Sequence, residues 1–524
     1  MRRILAVSVL LVASAVVARG FQPRGRGPER AALQPPSGAQ VAAFDVRAYG
    51  AKGDGTTLDT DAINKTIAAA HAAGGGTVRF GAGTYLSTSI HLQSHVGLFL
   101  DHGSTILAAD STVGPYDEPE PNQWDAFQDF GHSHWHNSLI WGENVDDVSI
   151  TGPGVIHGKG LVRSYNAQTT PKGSGNKAIA LKNSRNVIIR DITIFHGGWF
   201  AILATGVDNF TIDNIKIDTN RDGIDVDACR NVRISNATVN SPFDDGICLK
   251  SSYGLGSAKP TENVTITNSQ VSGYDEGTLL DGTYKRTVKY TRGPTGRIKF
   301  GTESNGGFKN ITISNCVFEY SRGLAIESVD GALIEDVAIT NLTMRDIVNA
   351  PIFVRLGRRA RGPNQPQPGV INRVRISNVV ASNVDPRHGV LISGIPGRDI
   401  EDLRLNDIRI AYQGGGTAAD AALEPEEKET EYPEPDMFGN IPAYGLYARH
   451  VNTLSARDMV FTTDKPDARP AFRFDQVTGI DLERLIVPRG QAPVFSLRSV
   501  AEFFHRNSPG LPDKRLAKVD RDAF

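Results

Sequence analysis

Between Asn209 and Asp245 the chain repeats itself, and each pass ends in carboxylates. The first, Asn209-Phe-Thr-Ile-Asp-Asn214, leads to Asn220-Arg221-Asp222-Gly-Ile-Asp225. The second, Asn231-Val-Arg-Ile-Ser-Asn236, leads to Phe243-Asp244-Asp245-Gly-Ile-Cys248. Asp222 stands as far beyond Asn209 as Asp244 stands beyond Asn231. If each pass is one coil of a parallel β-solenoid, equal offsets stack Asp222 on Asp244 at roughly 4.8 Å, the spacing of paired strands. Three acids (Asp222, Asp244 and Asp245) crowded on one outer face repel one another. That raises at least one pKa, so that one carboxyl keeps its proton while a neighbour is ionised. Acid–base cleavage of a glycosidic bond needs that pairing.

The elements that must hold these acids are legible in the same repeat. Asn-apolar-x-Ile recurs at Asn186, Asn209, Asn231, Asn263 and Asn310, with weaker copies beginning at Asp147, Asp336, Arg373 and Asp402. One short β-branched strand per repeat marks a solenoid whose coils bury one another's faces. Alternation sends Val and Ile inward and Thr, Arg or Ser outward. Asn236 and Asn315 fall at bends that suit a residue tolerant of left-handed geometry. Asn-x-Thr at Asn209, Asn263 and Asn310 follows from the repeat and is not read as a set of glycosylation sites. The expected fold is all-β: a single-stranded right-handed parallel β-helix with a short N-terminal capping helix. Asp59 to Ala73 has helical spacing, with Asp59 as its N-cap.

Met1-Arg2-Arg3, the apolar run to Val17 and small residues at Ala13, Ala15 and Ala18 read as a secretory signal over 1–18. A Pro/Gly/Arg-rich disordered linker is expected over 19–43, the β-helix domain over 44–500, and a polar C-terminal tail over 501–524. The expected location is secreted or periplasmic. A formal charge of −2 on 524 residues excludes nucleic acid or an anionic membrane as the main partner. The sequence leaves the oligomeric state open. Cys229, Cys248 and Cys316 lack metal-ligand spacing and read as small apolar filler, so neither metal nor cofactor is expected.

Phe44-Asp-Val-Arg-Ala-Tyr-Gly-Ala-Lys-Gly-Asp-Gly-Thr56 resembles the opening of pectin-degrading right-handed β-helix enzymes. With Asn220-Arg221-Asp222 and Asp244-Asp245 added, the chain resembles glycoside hydrolase family 28, the polygalacturonases and rhamnogalacturonases, from Phe44 to about Met344. The resemblance implies a secreted, inverting hydrolase of pectic poly- or oligosaccharide. Asp244 would then be the general acid, with Asp222 and Asp245 orienting and deprotonating water.

Two family elements differ here. The family's Gly-His-Gly, one coil after the acid pair, has no His counterpart, and either Asp275 or Arg297 takes its place. Its Arg-Ile-Lys should fall near Gly323-Leu-Ala-Ile-Glu327, whereas Arg297-Ile298-Lys299 lies one coil early. Glu327 in place of a cation disfavours uronate at that subsite. A rhamnose-containing or branched fragment, cut from an end, is the expected target.

Asn220, Asp275, Arg297, Lys299, Glu327 and Arg355 are the expected polar substrate contacts, with His196, Trp199 and Trp135 beside them. Trp135 lies within His132-Ser-His134-Trp-His136, read as a sugar-contacting loop rather than a zinc site. Insertions at Gly273–Gly296, Gly357–Pro368 and Gly414–Pro442 are expected to shape a cleft. The acidic run Glu424–Glu434 reads as a solvated loop. Two alternatives stand beside the hydrolase: a lyase or epimerase on the same fold, and a non-catalytic carbohydrate-binding solenoid.

Overall fold

The repeat packs because its inward residues stack on their own kind. Val187, Phe210, Val232, Val264, Ile311 and Val337 occupy one register on successive coils, and Ile189, Ile212, Ile234, Ile266, Ile313 and Ile339 the next inward position. All twelve are buried. The outward residue between them (Ile188, Thr211, Arg233, Thr265 and Thr312 in turn) alternates as a period of two requires. The structure, a computed structural model, describes residues 43–291, 293–490 and 492–524. The expected signal and nearly all of the expected linker lie outside them.

The described chain forms a parallel β-helix, its strands pairing with their counterparts one coil away except for the last, Lys514–Ala523. The faces that matter here are two. The Asn-repeat face begins at Ala43–Asp45 and continues through Gly76–Phe80, Val96–Leu100, Asp146–Thr151 and Arg185–Arg190. The other carries Lys177–Lys182, Phe200–Thr205, Asp222–Asp227, Ile247–Ser251, Ile298–Ser304, Leu324–Ser328 and Ile352–Leu356. It holds the acids and is called the site face below.

At the bend before each Asn-face strand, Asn186, Asn209, Asn231, Asn263 and Asn310 adopt φ of 54–56°. Asn186 donates its side-chain amide to Asp146 at 2.8 Å, and each of the other four donates to the preceding asparagine's oxygen at 2.8–3.1 Å. Local hydrogen bonding thus supports a left-handed conformation that other side chains avoid. Asn236 and Asn315 are likewise left-handed, with φ of 54° and 56°.

The N-terminal helix spans Thr60–Ala72 and buries Ile63, Thr66, Ile67 and Ala70 against the first coil. Asp59 makes no side-chain cap to it. Its carboxylate instead accepts from the amides of Lys52 at 2.7 Å and Gly53 at 2.9 Å, fixing the loop before the helix.

The expected polar tail over 501–524 is corrected. Phe495–Arg506 extends the solenoid, and Lys514–Ala523 folds back on it as an antiparallel strand. Most of its charged residues are exposed, while Leu516, Val519 and Phe524 pack on the core. A strand with one wet face is easily mistaken for a tail by composition alone.

Candidate active site

The acids owe their arrangement to one extra residue. Lys216, Ile217 and Asp218 pair with Thr238, Val239 and Asn240, an offset of 22, but Ile224 pairs with Ile247, an offset of 23. Asp222 therefore does not stack on Asp244, as equal offsets would require. It lies level with Asp245, whose carbonyl accepts from the Gly223 amide at 3.0 Å. Gly223 permits this approach, since a Cβ there would meet the Gly246 carbonyl oxygen at 2.4 Å. Asp244 is the surplus residue, displaced outward.

Exposure follows from this. Asp222 and Asp245 are 3% and 2% exposed, whereas the Asp244 side chain is 25% exposed. One oxygen from each lies within 4.8 Å of the others. Arg221 donates to Asp244 at 2.7 Å. Its guanidinium sits between the rings of Trp199 and Phe243, at 5.5 and 5.7 Å. Asp245 is gripped from the next coil by Arg297 Nε at 2.7 Å and Lys299 Nζ at 3.4 Å. Arg297 also holds Glu434 at 2.5 Å. Lys299 reaches Glu327 at 3.5 Å and donates to the Tyr432 hydroxyl at 3.2 Å.

These surroundings divide the protons unequally. Burial, then the Asp244 and Asp225 charges, push Asp222 well above the usual carboxylate range. Burial also raises Asp244, against the opposing pull of Arg221. Burial works the same way on Asp245, but Lys299 and Arg297, with Lys250 behind them, outweigh it and hold that carboxyl well below its ordinary value. Asp222 Oδ1 is buried without a protein hydrogen-bond partner, as expected of a polar atom that water or substrate completes.

A second rank of charge lies alongside. Lys250 Nζ stands 3.6 Å from Asp225 and 3.1 Å from Glu303. His132 Nε2 meets Asp225 at 3.2 Å, and Arg361 binds Glu303 at 2.5 Å.

The residues expected from sequence divide clearly. Arg297, Lys299 and Glu327 gather at Asp245, and Trp199 reaches the site through Arg221. Asn220 contributes its carbonyl, which accepts from the Phe243 amide at 2.9 Å. The two candidates for the family's His position lie on different elements. Arg297 precedes Ile298, the partner of Ile247, while Asp275 caps the insertion loop through Thr287 and Val288. Lys299 pairs in register with Ala325, so the basic triplet does lie one coil before Gly323–Glu327.

Asp275 is therefore corrected as a site residue, and so are two others. Trp135 is fully buried, its indole donating to Thr205 at 3.1 Å, and offers no face to a sugar. Arg355 is 1% exposed, with its donors on Ser393 and the carbonyls of Gly394, Glu427 and Lys428. His196 meets Glu276 at 2.8 Å and packs on Phe195, off the acid cluster.

The three His side chains diverge. His132 goes to Asp225, His134 to Asp125 and the Glu120 carbonyl, and His136 to Glu143. Glu434, expected in a solvated loop, is 5% exposed. Sequence reasoning also missed Arg221, Asp225, Lys250, Glu303 and Tyr432. For Asp225 the available signal was its outward place in Asp222-Gly-Ile-Asp225-Val-Asp227, where alternation puts Asp225 and Asp227 together on the face opposite Ile224 and Val226.

Comparison with known proteins finds likeness to pectin-acting enzymes. Residues 113–275 match the family model described as glycosyl hydrolases family 28. Residues 43–116 match the one described as rhamnogalacturonase A/epimerase, pectate lyase-like. A probable polygalacturonase of Vitis vinifera is 26% identical over 383 residues, 69% of this chain and 73% of that protein. Plasmin and fibronectin-binding protein A of Streptococcus pneumoniae is 32% identical over 274 residues, 48% of this chain and 34% of its own length. The family 28 exopolygalacturonase structure from Yersinia enterocolitica superposes with a TM-score of 0.59 at 16% identity, covering 85% of this chain and 79% of that one. That likeness concerns the fold.

Proposed function

From the membership of this chain in glycosyl hydrolase family 28, we infer that it is a pectin-degrading glycosidase, secreted, inverting and acting from a chain end. The observation that carries the reading is the unequal protonation of three carboxyls with oxygens within 4.8 Å of one another. Asp244, partly exposed and raised by burial, protonates the leaving oxygen. Asp245, kept ionised by Lys299 and Arg297, takes the proton from water, and Asp222 orients that water.

Direct displacement is favoured by access. A carboxylate that is 2% exposed and held by two cations is out of reach of an anomeric carbon, though not of a water molecule. The close spacing of the acids is nearer to that typical of retaining enzymes, so the anomer of the first product is the informative measurement.

The site's cations bear on the sugar. Among the described residues, Arg221, Arg297, Lys299 and Arg322 each face a protein carboxylate. A uronate beside the scissile bond would find no uncompensated charge, which supports a rhamnose-containing pectic fragment over plain polygalacturonate.

Proton NMR of products from defined pectic oligosaccharides tests the reading, with inverted anomer and terminal release expected. Asp244→Asn should lower kcat by about 10²–10⁴ while binding persists. The rate should fall as pH rises through the raised Asp244 pKa, and fall again only in strong acid, where Asp245 gains its proton. The match to the pneumococcal binding protein favours a second reading, a non-catalytic binding solenoid. Equal, negligible turnover by parent and Asp244→Asn across the oligosaccharides would select it.

A further inference from the structure

Beyond the acids, the site face carries a run of arginines. In one register stand Glu327, Arg355, Ser393, Arg449, Asp475 and Arg498 on successive coils, and Arg473 occupies the neighbouring register. Cations are crowded enough here that burial, then Arg449, lower the Arg355 guanidinium to about 9. Such a track suits a polyanion. In this structure it is occupied by the chain itself.

The segment from Glu424 to Glu434 lies along the track, and its backbone joins no strand. Glu424 binds Arg473 at 3.1 Å and also Arg498. Glu427 faces Arg449 at 3.6 Å and His450 at 3.0 Å. The carbonyls of Pro425, Glu426, Glu427 and Lys428 accept from Arg449 and Arg355. Glu434 closes the series on Arg297 and Arg322. Phe438, just beyond the segment, packs on the middle of the track, with Arg355 and Arg449 over its ring at 5.3 and 4.8 Å. Ten residue steps reach about 33 Å when extended, and the six coil steps from the Arg297 coil to the Arg498 coil rise about 29 Å. The length fits the track.

We propose that residues 424–434 are an internal substitute for a polyuronate chain, filling the arginine track and ending the binding groove at the Arg297 coil. The carboxylates of Glu424, Glu427 and Glu434 stand where uronate carboxylates would otherwise pair. The strap thereby selects chain ends, because an internal stretch of polymer has no track to continue along. Chain-end selection rests on the hydrolase reading above. The occupation of the track does not.

The test is binding of polygalacturonate oligosaccharides by calorimetry, in an Asp244→Asn background that keeps the ligand intact. Glu424→Gln with Glu427→Gln should tighten binding at least tenfold at low salt. The gain should vanish at high salt and on adding Arg473→Gln and Arg498→Gln. An unchanged affinity in a variant that melts like its parent overturns the proposal. Should the double variant fail to fold, Glu424→Gln alone, at a half-exposed position, should still gain about threefold, and no gain there overturns it equally. In the active background, the double variant should release oligomers as well as terminal sugar. If parent and double variant both lack turnover yet binding rises, the hydrolase reading fails and the strap stands.

Discussion

Lys299 stands between two carboxylates of opposite character, 3.4 Å from Asp245 and 3.5 Å from Glu327. Asp245 is held below the ordinary range, whereas burial, against Lys299, raises Glu327 to about 7. The difference lies in Arg297, which hydrogen-bonds Asp245 and not Glu327. Neither Glu327 oxygen has a hydrogen-bond partner among the described residues, so ionisation there is costly. A raised carboxyl contributes stability that is full below its unfolded pKa and is lost as pH rises through the folded value. Glu327 should therefore weaken the fold between about pH 4.5 and pH 7, on the order of 3 kcal/mol. Glu327→Gln should melt progressively higher than the parent as pH is raised across that window, read by calorimetry. A difference independent of pH would refute the assignment. Asp222, Asp244, Asp245, Arg297 and Lys299 were legible as letters because they sit in short motifs. Asp225 and Lys250 were not, since an outward residue on a strand reads as surface until a distant loop, here the one carrying His132, covers it.

Among the elements, the asparagine run is the clearest case of sequence dictating shape. Asn231 has φ of 56°, donates to Asn209 at 3.1 Å and accepts from Asn263 at 3.0 Å. Asn231→Ala removes two exposed hydrogen bonds and leaves a Cβ in the left-handed region, a loss of about 2 kcal/mol. Asn231→Gly should recover the backbone part only, and thermal unfolding of the three proteins in parallel would show that order. The coil period and the inward stacks were readable because every coil repeats the same burial. Coil register was not readable through the turn after Asn240, because counting from Asn209 and Asn231 assumes equal turns. The insertions were visible as long loops, yet their destinations were hidden. Glu434 reaches Arg297, which lies 137 residues earlier in sequence, and no local pattern announces so long a return.

At the scale of the molecule, a solenoid must protect two open ends. The helix Thr60–Ala72 covers one, and the antiparallel strand Lys514–Ala523 covers the other, with Phe524 against Phe495 at 5.2 Å between ring centroids. Removing residues 508–524 should expose the edge of Phe495–Arg506. Self-association is then expected by light scattering, while site-face chemistry seven coils away persists. A monodisperse truncated protein would show that edge to be protected otherwise. The extra residue between Asn240 and Ile247 has a wider consequence. The strands on both sides of it, Lys216–Asp218 with Thr238–Asn240 and Asp222–Asp227 with Ile247–Ser251, pair in parallel across the change of offset. In the proposed hydrolysis the place of the acid Asp244 thus rests on one residue of a turn. A one-residue deletion there should realign Asp222 with its neighbour's coil and cost the cutting of a glycan before it costs the holding of one.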